Sequence, residues 1–530
     1  LLVIVATFCG LSSSAWHETI ATEGWGAWLR QHVLSYQGID GLIHADTMLF
    51  ILGLTFFVSV IAQTRMLEGL TLLMLRRNRG AVLPTVVAVT AIVAFASGIL
   101  DGVSMIGLTI RTLVIILMLA AVPRQVMVFA VMICTTVTTV CGVWLAYGEP
   151  PNLIMKANLH PFLGGTFFLR YCGPIAIATY LVVARHLRKT LKGQRIDLAR
   201  MDIIDAKAED VRFLQATRHG EVLTPIELVE SHSKYLGAHG PGVLDRIRGG
   251  MSLGSALVKE DVPLRTRQEL LGHYTSEELG QSLDRHYVLD AEGDDEGAML
   301  AEQWVGDTLA DTSRIRRRAQ LFGALALIPF AALLLVHGAY HQMPLFLASF
   351  AGFAVALLGI APIPRMRRLA IRQAWNEYAE YYFLFPLFLS ITLLSQAGFF
   401  DSIEELLSQG LHTLGAFPVA WTQFLGSTVL SAILDNNIVA DFASRALANL
   451  DVSMLHLFAM AQVAGYALGG CWTHIGCAQS VVAYAFIQRD IDEHYTPVQW
   501  IRAMTPIILE MLVLISILIF LESQLLRLLS

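Results

Sequence analysis

The sequence predicts an all-α polytopic membrane protein. We expect two membrane repeats of inverted topology, each with a re-entrant helical hairpin and a broken helix, separated by a mostly helical cytoplasmic insert. Three observations predict this. Of 530 residues, 55% are hydrophobic and only 15% charged, against roughly 25% charged in soluble domains, and several apolar runs approach the ~20 residues that cross a bilayer. Three motifs recur in the same order in both halves. The basic residues at the ends of the apolar runs then orient the two copies oppositely, because Lys and Arg collect on the cytoplasmic side.

The repeated motifs give the frame, and repeats are sought before any local reading. Ser97-Gly98-Ile99-Leu100-Asp101-Gly102 matches Ser431-Ala432-Ile433-Leu434-Asp435-Asn436 as S-x-I-L-D-[NG], and an arginine follows each aspartate after ten residues, Arg111 and Arg445. Gly142-Val-Trp144-Leu-Ala-Tyr-Gly148 matches Gly470-Cys-Trp472-Thr-His-Ile-Gly476 as G-x-W-x-x-x-G. Upstream, Ala62-Gln63 with Glu68 matches Ser395-Gln396 with Asp401.

The first repeat is 1–188. Leu1 to Ala15 reads as a spanning helix whose start is missing. His17 to Ala45 is polar with Trp16, Trp25 and Trp28 and suits the membrane surface. Asp46 to Ala62 spans and ends in the basic stretch Arg65 to Arg79, which is cytoplasmic by charge. The hairpin 81–123 enters and leaves on that side, with its polar tip at Asp101 inside the membrane. Val126 to Cys141 then enters and breaks through Gly142 to Asn152, since two prolines and two glycines do not continue a helix. Pro161 to Val183 returns to a basic exit.

Residues 189–318 form the insert. It is charged, has no run long enough to span, and has basic residues at both flanks, which places it in the cytoplasm. Segments 213–235 and 253–271 carry enough apolar residues for a small core. The second repeat is 319–530. Leu321 to Val336, Leu345 to Ile360 and Tyr381 to Phe399 span, and Asp401 to Gly415, without Lys or Arg, is external. The hairpin 416–450 therefore enters from outside. Leu455 to Gly469 breaks at Gly470 to Gly476, Cys477 to Ile487 completes the crossing, and Thr505 to Leu525 is the last span.

The composition also narrows the function classes. Net charge is −6 and no basic patch is interleaved with aromatics, so nucleic acid is not an expected partner. The six cysteines lie in or beside apolar runs without metal-site spacing and read as reduced core residues. No nucleophile set or metal motif suggests an enzyme, and no cofactor is expected. The lipid bilayer and a transported ion are the expected partners.

Irregular backbone at membrane depth is tolerated only where it is buried in protein or lines a cavity. Two hairpin tips and two breaks of this kind, brought together, offer free helix ends to ions. An intramembrane carboxylate costs roughly 2.5–3.5 kcal/mol on insertion scales and marks a functional site. Asp435 and Asp101 are thus the candidate cation and proton sites, with Asn436, Asn437, Thr473 and Ser431 as neutral oxygen ligands and Na⁺ placed at Asp435 and Asn436. A carboxylate that holds either a proton or Na⁺ (or Li⁺) supports exchange of the two. The alternative is that Asp435 caps the following helix or pairs with Arg445. Secondary candidates are Glu149 and Asn152 in the first break, Ser97, and His474, which either relays protons or is structural. Arg111 and Arg445 neutralise acids, contact an anion or face a wet vestibule.

The Leu434-Asp435-Asn436-Asn437 hairpin and Gly469-Gly470-Cys-Trp-Thr473-His474-Ile-Gly476 resemble the ion transporter superfamily, most closely its branch of NhaD-type sodium/proton antiporters and arsenite permeases. Gly148-Glu149-Pro150-Pro151-Asn152 is similar to a loop of the related sodium-coupled dicarboxylate carriers. The resemblance covers about 45–188 and 319–530. It implies an elevator-type carrier, usually a homodimer, in the bacterial cytoplasmic membrane. The expected activity is Na⁺(Li⁺)/H⁺ antiport. The alternative is an anion or oxyanion carrier, such as an arsenite or sodium-coupled organic anion permease. The Ser-Asn-Thr tips of the dicarboxylate carriers are absent, and Asp101 is followed by Gly.

Overall fold

The computed structural model describes residues 20–196, 236–249 and 317–529, except 23, 33, 65, 101, 120–121, 338–339, 341–342, 362–363, 380, 397 and 449, together with scattered positions between 226 and 266. Every regular element of any length among them is helical. Eight helices are long and apolar enough to cross a membrane: Ala45–Gln63, Arg124–Gly142, Gly165–Leu191, Arg317–His337, Ala370–Ser395, Ala416–Ile433, Met454–Trp472 and Pro497–Leu528. Shorter apolar helices cover Val82–Ser97, Gly102–Val114 and Phe346–Ile360.

The chain forms two compact units. The first comprises Leu1–Ile196, Leu327–Phe353 and Ala374–Ser530. Its helices in chain order are α1 Trp25–His32, α2 Tyr36–Ile43, α3 Ala45–Gln63, α4 Met66–Arg77, α5 Val82–Ser97, α6 Gly102–Leu119, α7 Arg124–Thr138, α8 Pro150–Asn158 and α9 Gly173–Leu191. After the segment assigned to the second unit come α10 Leu384–Gln396, α11 Phe399–Leu414, α12 Ala416–Ile433, α13 Asn436–Ala446, α14 Val452–Trp472, α15 Ala478–Phe486 and α16 Pro497–Leu529. Helix α14 is buried nearly all round, from Leu455 to Cys471, as an apolar helix at the centre of a bundle must be. It packs against α12 and α16, while α5 packs against α6 and α7. Asp46, in the first turn of α3, accepts the amides of Leu345 (3.0 Å) and Phe346 (3.3 Å), so it caps the helix that starts at Phe346.

The second unit comprises Asp197–Ala326 and Ala354–Gln373. Within it Gly240–Arg248 is helical, and Val229, Leu236, Val243, Ala256, Leu257 and Val262 form a small apolar core. Arg246 pairs with Glu260 at 2.5 Å. The expected core residues from 213 to 223 lie outside the described residues.

Several expected boundaries are corrected. Pro150 and Pro151 do not sit in the first break; they open α8, where a missing N–H costs nothing and the fixed φ suits the first turn. The first break is the turn region after the short 3₁₀ segment Val140–Gly142, up to Glu149. The second break is also shorter than expected. Helix α14 runs through Gly469 and Gly470 to Trp472, leaving only 473–477 irregular. These glycines serve helix packing instead. A Cβ on Gly469 would lie 2.2 Å from the Thr428 carbonyl, and one on Gly465 would lie 2.6 Å from Ser427 Cβ. Gly465-x-x-x-Gly469 thus lets α14 meet α12 at backbone distance. The acidic stretch after Asp401 lies in the helix α11, and the last helix is 33 residues long, with Pro506 inside it.

Candidate functional site

The site is built where each copy of the S-x-I-L-D-[NG] motif meets a break. In the first half the amide of Gly102 donates to the Gly148 carbonyl at 3.0 Å; in the second the amide of Asn436 donates to the Gly476 carbonyl at 3.2 Å. These are matching positions of the two recurring motifs: the residue after the aspartate, and the last glycine of G-x-W-x-x-x-G. The first residue of the hairpin motif completes the clasp. A Cβ on Gly148 would lie 1.8 Å from the Ser97 carbonyl oxygen, and a Cβ on Gly476 would lie 2.6 Å from that of Ser431. The motifs recur together because they are each other's packing partners, and only glycine admits the approach.

The halves are also completed by one another. Helix α8, after the first break, packs on α13, which follows Asp435; α15, after the second break, packs on α6, which follows the first copy of the motif. Glu149, 2% exposed, precedes α8 and accepts the Gln479 side-chain amide of α15 at both carboxylate oxygens, at 2.8 and 2.9 Å. Asn152 accepts the Tyr466 hydroxyl of α14 and donates to the Leu145 carbonyl at 3.0 Å.

At the second tip, half-buried Asp435 is the N-cap of α13. Its Oδ1 accepts the Asn437 backbone amide at 2.9 Å and the Asn437 side-chain amide at 2.7 Å. The capping role is therefore present, and among the described residues the hydrogen bonds all go to this one carboxylate oxygen. Asn436 and Asn437 are buried. The Thr473 hydroxyl donates to the Ala432 carbonyl at 2.6 Å, and the Ser431 hydroxyl to that of Tyr466 at 2.8 Å. Ser97 does likewise to Ala94 (3.1 Å). Each hydroxyl spends its hydrogen on backbone and keeps oxygen lone pairs for another partner. Asp101 lies outside the described residues, as does the side chain of Arg111. His474 is half-buried against the Tyr484 ring, 4.6 Å between centroids, and its Nδ1 has no hydrogen-bond partner.

The family profile described as Citrate transporter (CitMHS) matches residues 19–441, which takes in the first clasp, the Asp435 tip and most of α13. The chain belongs to the citrate transporter family. This family consists of secondary transporters and lies in the ion transporter superfamily that the motifs resemble. No curated protein matches the chain.

This citrate transporter family member holds a further polar cluster one turn along from the tip. Asp441 is fully buried on α13; its Oδ1 accepts Asn158 Nδ2 at 2.6 Å and Arg445 Nε at 3.1 Å. Arg445 also donates to Thr392 Oγ1 of α10 at 3.0 Å and lies 3.4 Å from His44 Nε2. Of the roles considered for Arg445, neutralising an acid is the one this arrangement displays, and the acid is Asp441 rather than Asp435. Lys156 is held by the Tyr147 hydroxyl at 3.1 Å. Sequence reasoning missed Gln479, Tyr466, Asn158 and Asp441 as site-lining groups. For Asp441 a signal existed: Asn437, Asp441 and Arg445 follow at i, i+4 and i+8, one face of a helix. The contacts of Gln479 and Tyr466 reach across the two halves and left no trace in local spacing. Among the described residues, no group of three or more His, Cys, Asp or Glu side chains converges as a metal site.

Proposed function

We propose that this secondary transporter is cation-coupled and exchanges Na⁺ or Li⁺ for H⁺, with Asp435 as the alternating site and Asn436, Asn437, Thr473 and Ser431 supplying neutral oxygens. The observation that carries the reading is the sign of the charge at the two clasps. Buried Glu149 stands at one and Asp435 at the other, while Arg445 and Lys156 are engaged by Asp441 and Tyr147. Such a centre attracts a small cation or a proton and repels an anion. The clasped breaks supply what an alternating-access carrier needs: irregular backbone enclosed in protein, with helix ends turned to a common region.

The family match favours a second reading, in which cation binding at these acids drives carriage of a citrate-type anion. One experiment separates the two. Proteoliposomes loaded with a pH-sensitive dye are challenged with Na⁺, Li⁺, K⁺ or citrate. Proton flux triggered by Na⁺ or Li⁺ and lost in Asp435→Asn supports exchange. Citrate uptake that requires a cation, without proton flux on the cation alone, replaces it with the second reading.

A further inference from the structure

Among the described residues, two buried oxygens on α13 have no hydrogen-bond partner: Asn437 Oδ1 and Asp441 Oδ2. Both residues are almost fully buried, at 4% and 0% exposure. They are four apart on one helix, so their side chains are neighbours on one face, with Cβ atoms roughly 5–6 Å apart. The Asn437 orientation is fixed, because its Nδ2 is committed to Asp435 at 2.7 Å, leaving the oxygen as the free end. Asp441 is likewise fixed, because Oδ1 takes both of its donors, Asn158 and Arg445. A buried acceptor left unmatched is costly, and more so when charged. Two such acceptors on the same face call for something that offers positive charge to both.

We infer that Asn437 Oδ1 and Asp441 Oδ2 form a second binding position for a small monovalent cation of the Na⁺ class, one turn along α13 from the Asp435 tip. The inference rests on the cation-coupled reading above and extends it. The ligands are hard oxygens, one charged and one neutral, and Arg445 offsets part of the charge of Asp441, which suits a monovalent rather than a divalent ion. Asn437 joins the two positions: its oxygen faces the inner cation while its amide nitrogen donates to Asp435. A cation on the oxygen polarises the amide and strengthens the hydrogen bond to the Asp435 carboxylate. The two positions are thus coupled through a single side chain.

The test is equilibrium binding of radioactive sodium to the purified full-length protein in detergent. We expect two ions per chain in the wild type, with one lost in Asp435→Asn and the other lost in Asp441→Asn. Because Asp441→Asn leaves Arg445 without its ion-pair partner, the double variant Asp441→Asn/Arg445→Gln removes both charges of the pair together and is expected to lose the same ion. Full sodium binding in either Asp441 variant overturns the inference and leaves the Asp435 reading standing. So does a wild-type stoichiometry of one ion that is lost in Asp435→Asn, a result that needs no folded Asp441 variant. No saturable sodium binding by the wild type overturns the inference together with the cation-coupled reading.

Discussion

A buried carboxylate with a dedicated partner is the feature that recurs at the level of single residues, and each instance makes a separate prediction. Asp435→Asn keeps the shape and one acceptor for the Asn437 amides but removes the charge. Fluxes in proteoliposomes are therefore expected to fall to background while the protein still elutes as a folded species. Asp441 and Arg445 behave differently. Truncating Arg445 to Ala strands a fully buried carboxylate, and breaking a buried pair from one side costs about 3–5 kcal/mol. Arg445→Ala is expected to melt well below the wild type in detergent, and Arg445→Ala/Asp441→Asn to recover much of the loss. Equal melting temperatures for the Arg445 single variant and the wild type would show that the pair has no structural role. Of these residues, Asp435 was legible from its place at the end of an apolar run. Asp441, six residues further on, has the same chemistry but lies within a helix rather than at the end of an apolar run. What separates it from an ordinary helix-surface acid is its burial by α8, and that contact joins positions 283 apart in sequence.

At the level of elements, glycine placement divides the helices into those that touch backbone to backbone and those that do not. Gly148→Ala puts a methyl group into the Ser97 carbonyl and Gly469→Ala puts one into that of Thr428, whereas a Cβ on Gly426 meets nothing within 4 Å. The first two are expected to destabilise by roughly 1–3 kcal/mol, as overpacking does. Gly426→Ala should leave the melting temperature unchanged or slightly raised, since Ala is the better helix former. Three similar melting curves would contradict the packing argument. The position of each break was readable from sequence to within a few residues, because glycine and proline punctuate the chain. Their roles were not, because a glycine that permits a bend and one that permits close approach look alike without the opposing helix. The prolines mislead for the opposite reason: the restriction that ends one helix also starts the next.

At the scale of the whole molecule, the apolar runs, the two hairpin motifs and the charged insert were all evident in composition, and the eight span-length helices fall largely where hydropathy places them. Pairing between the halves was not evident, because it rests on shape. The side of the membrane is a prediction of the charge pattern. A cysteine introduced at exposed Asp245, in a background where the described native cysteines are buried, is expected to react with a membrane-impermeant maleimide only after the cells are opened. Labelling of intact cells would place the insert outside and reverse the orientation of both repeats.

The crossed packing of α8 on α13 and of α15 on α6 makes each half depend on the other. Each half carries the acid of one centre and the clamp of the other: Glu149 waits for Gln479, and Asp441 for Asn158. A single half alone would leave each of these acids without its partner. For the same reason, the two halves expressed as separate polypeptides should regain activity only when made together.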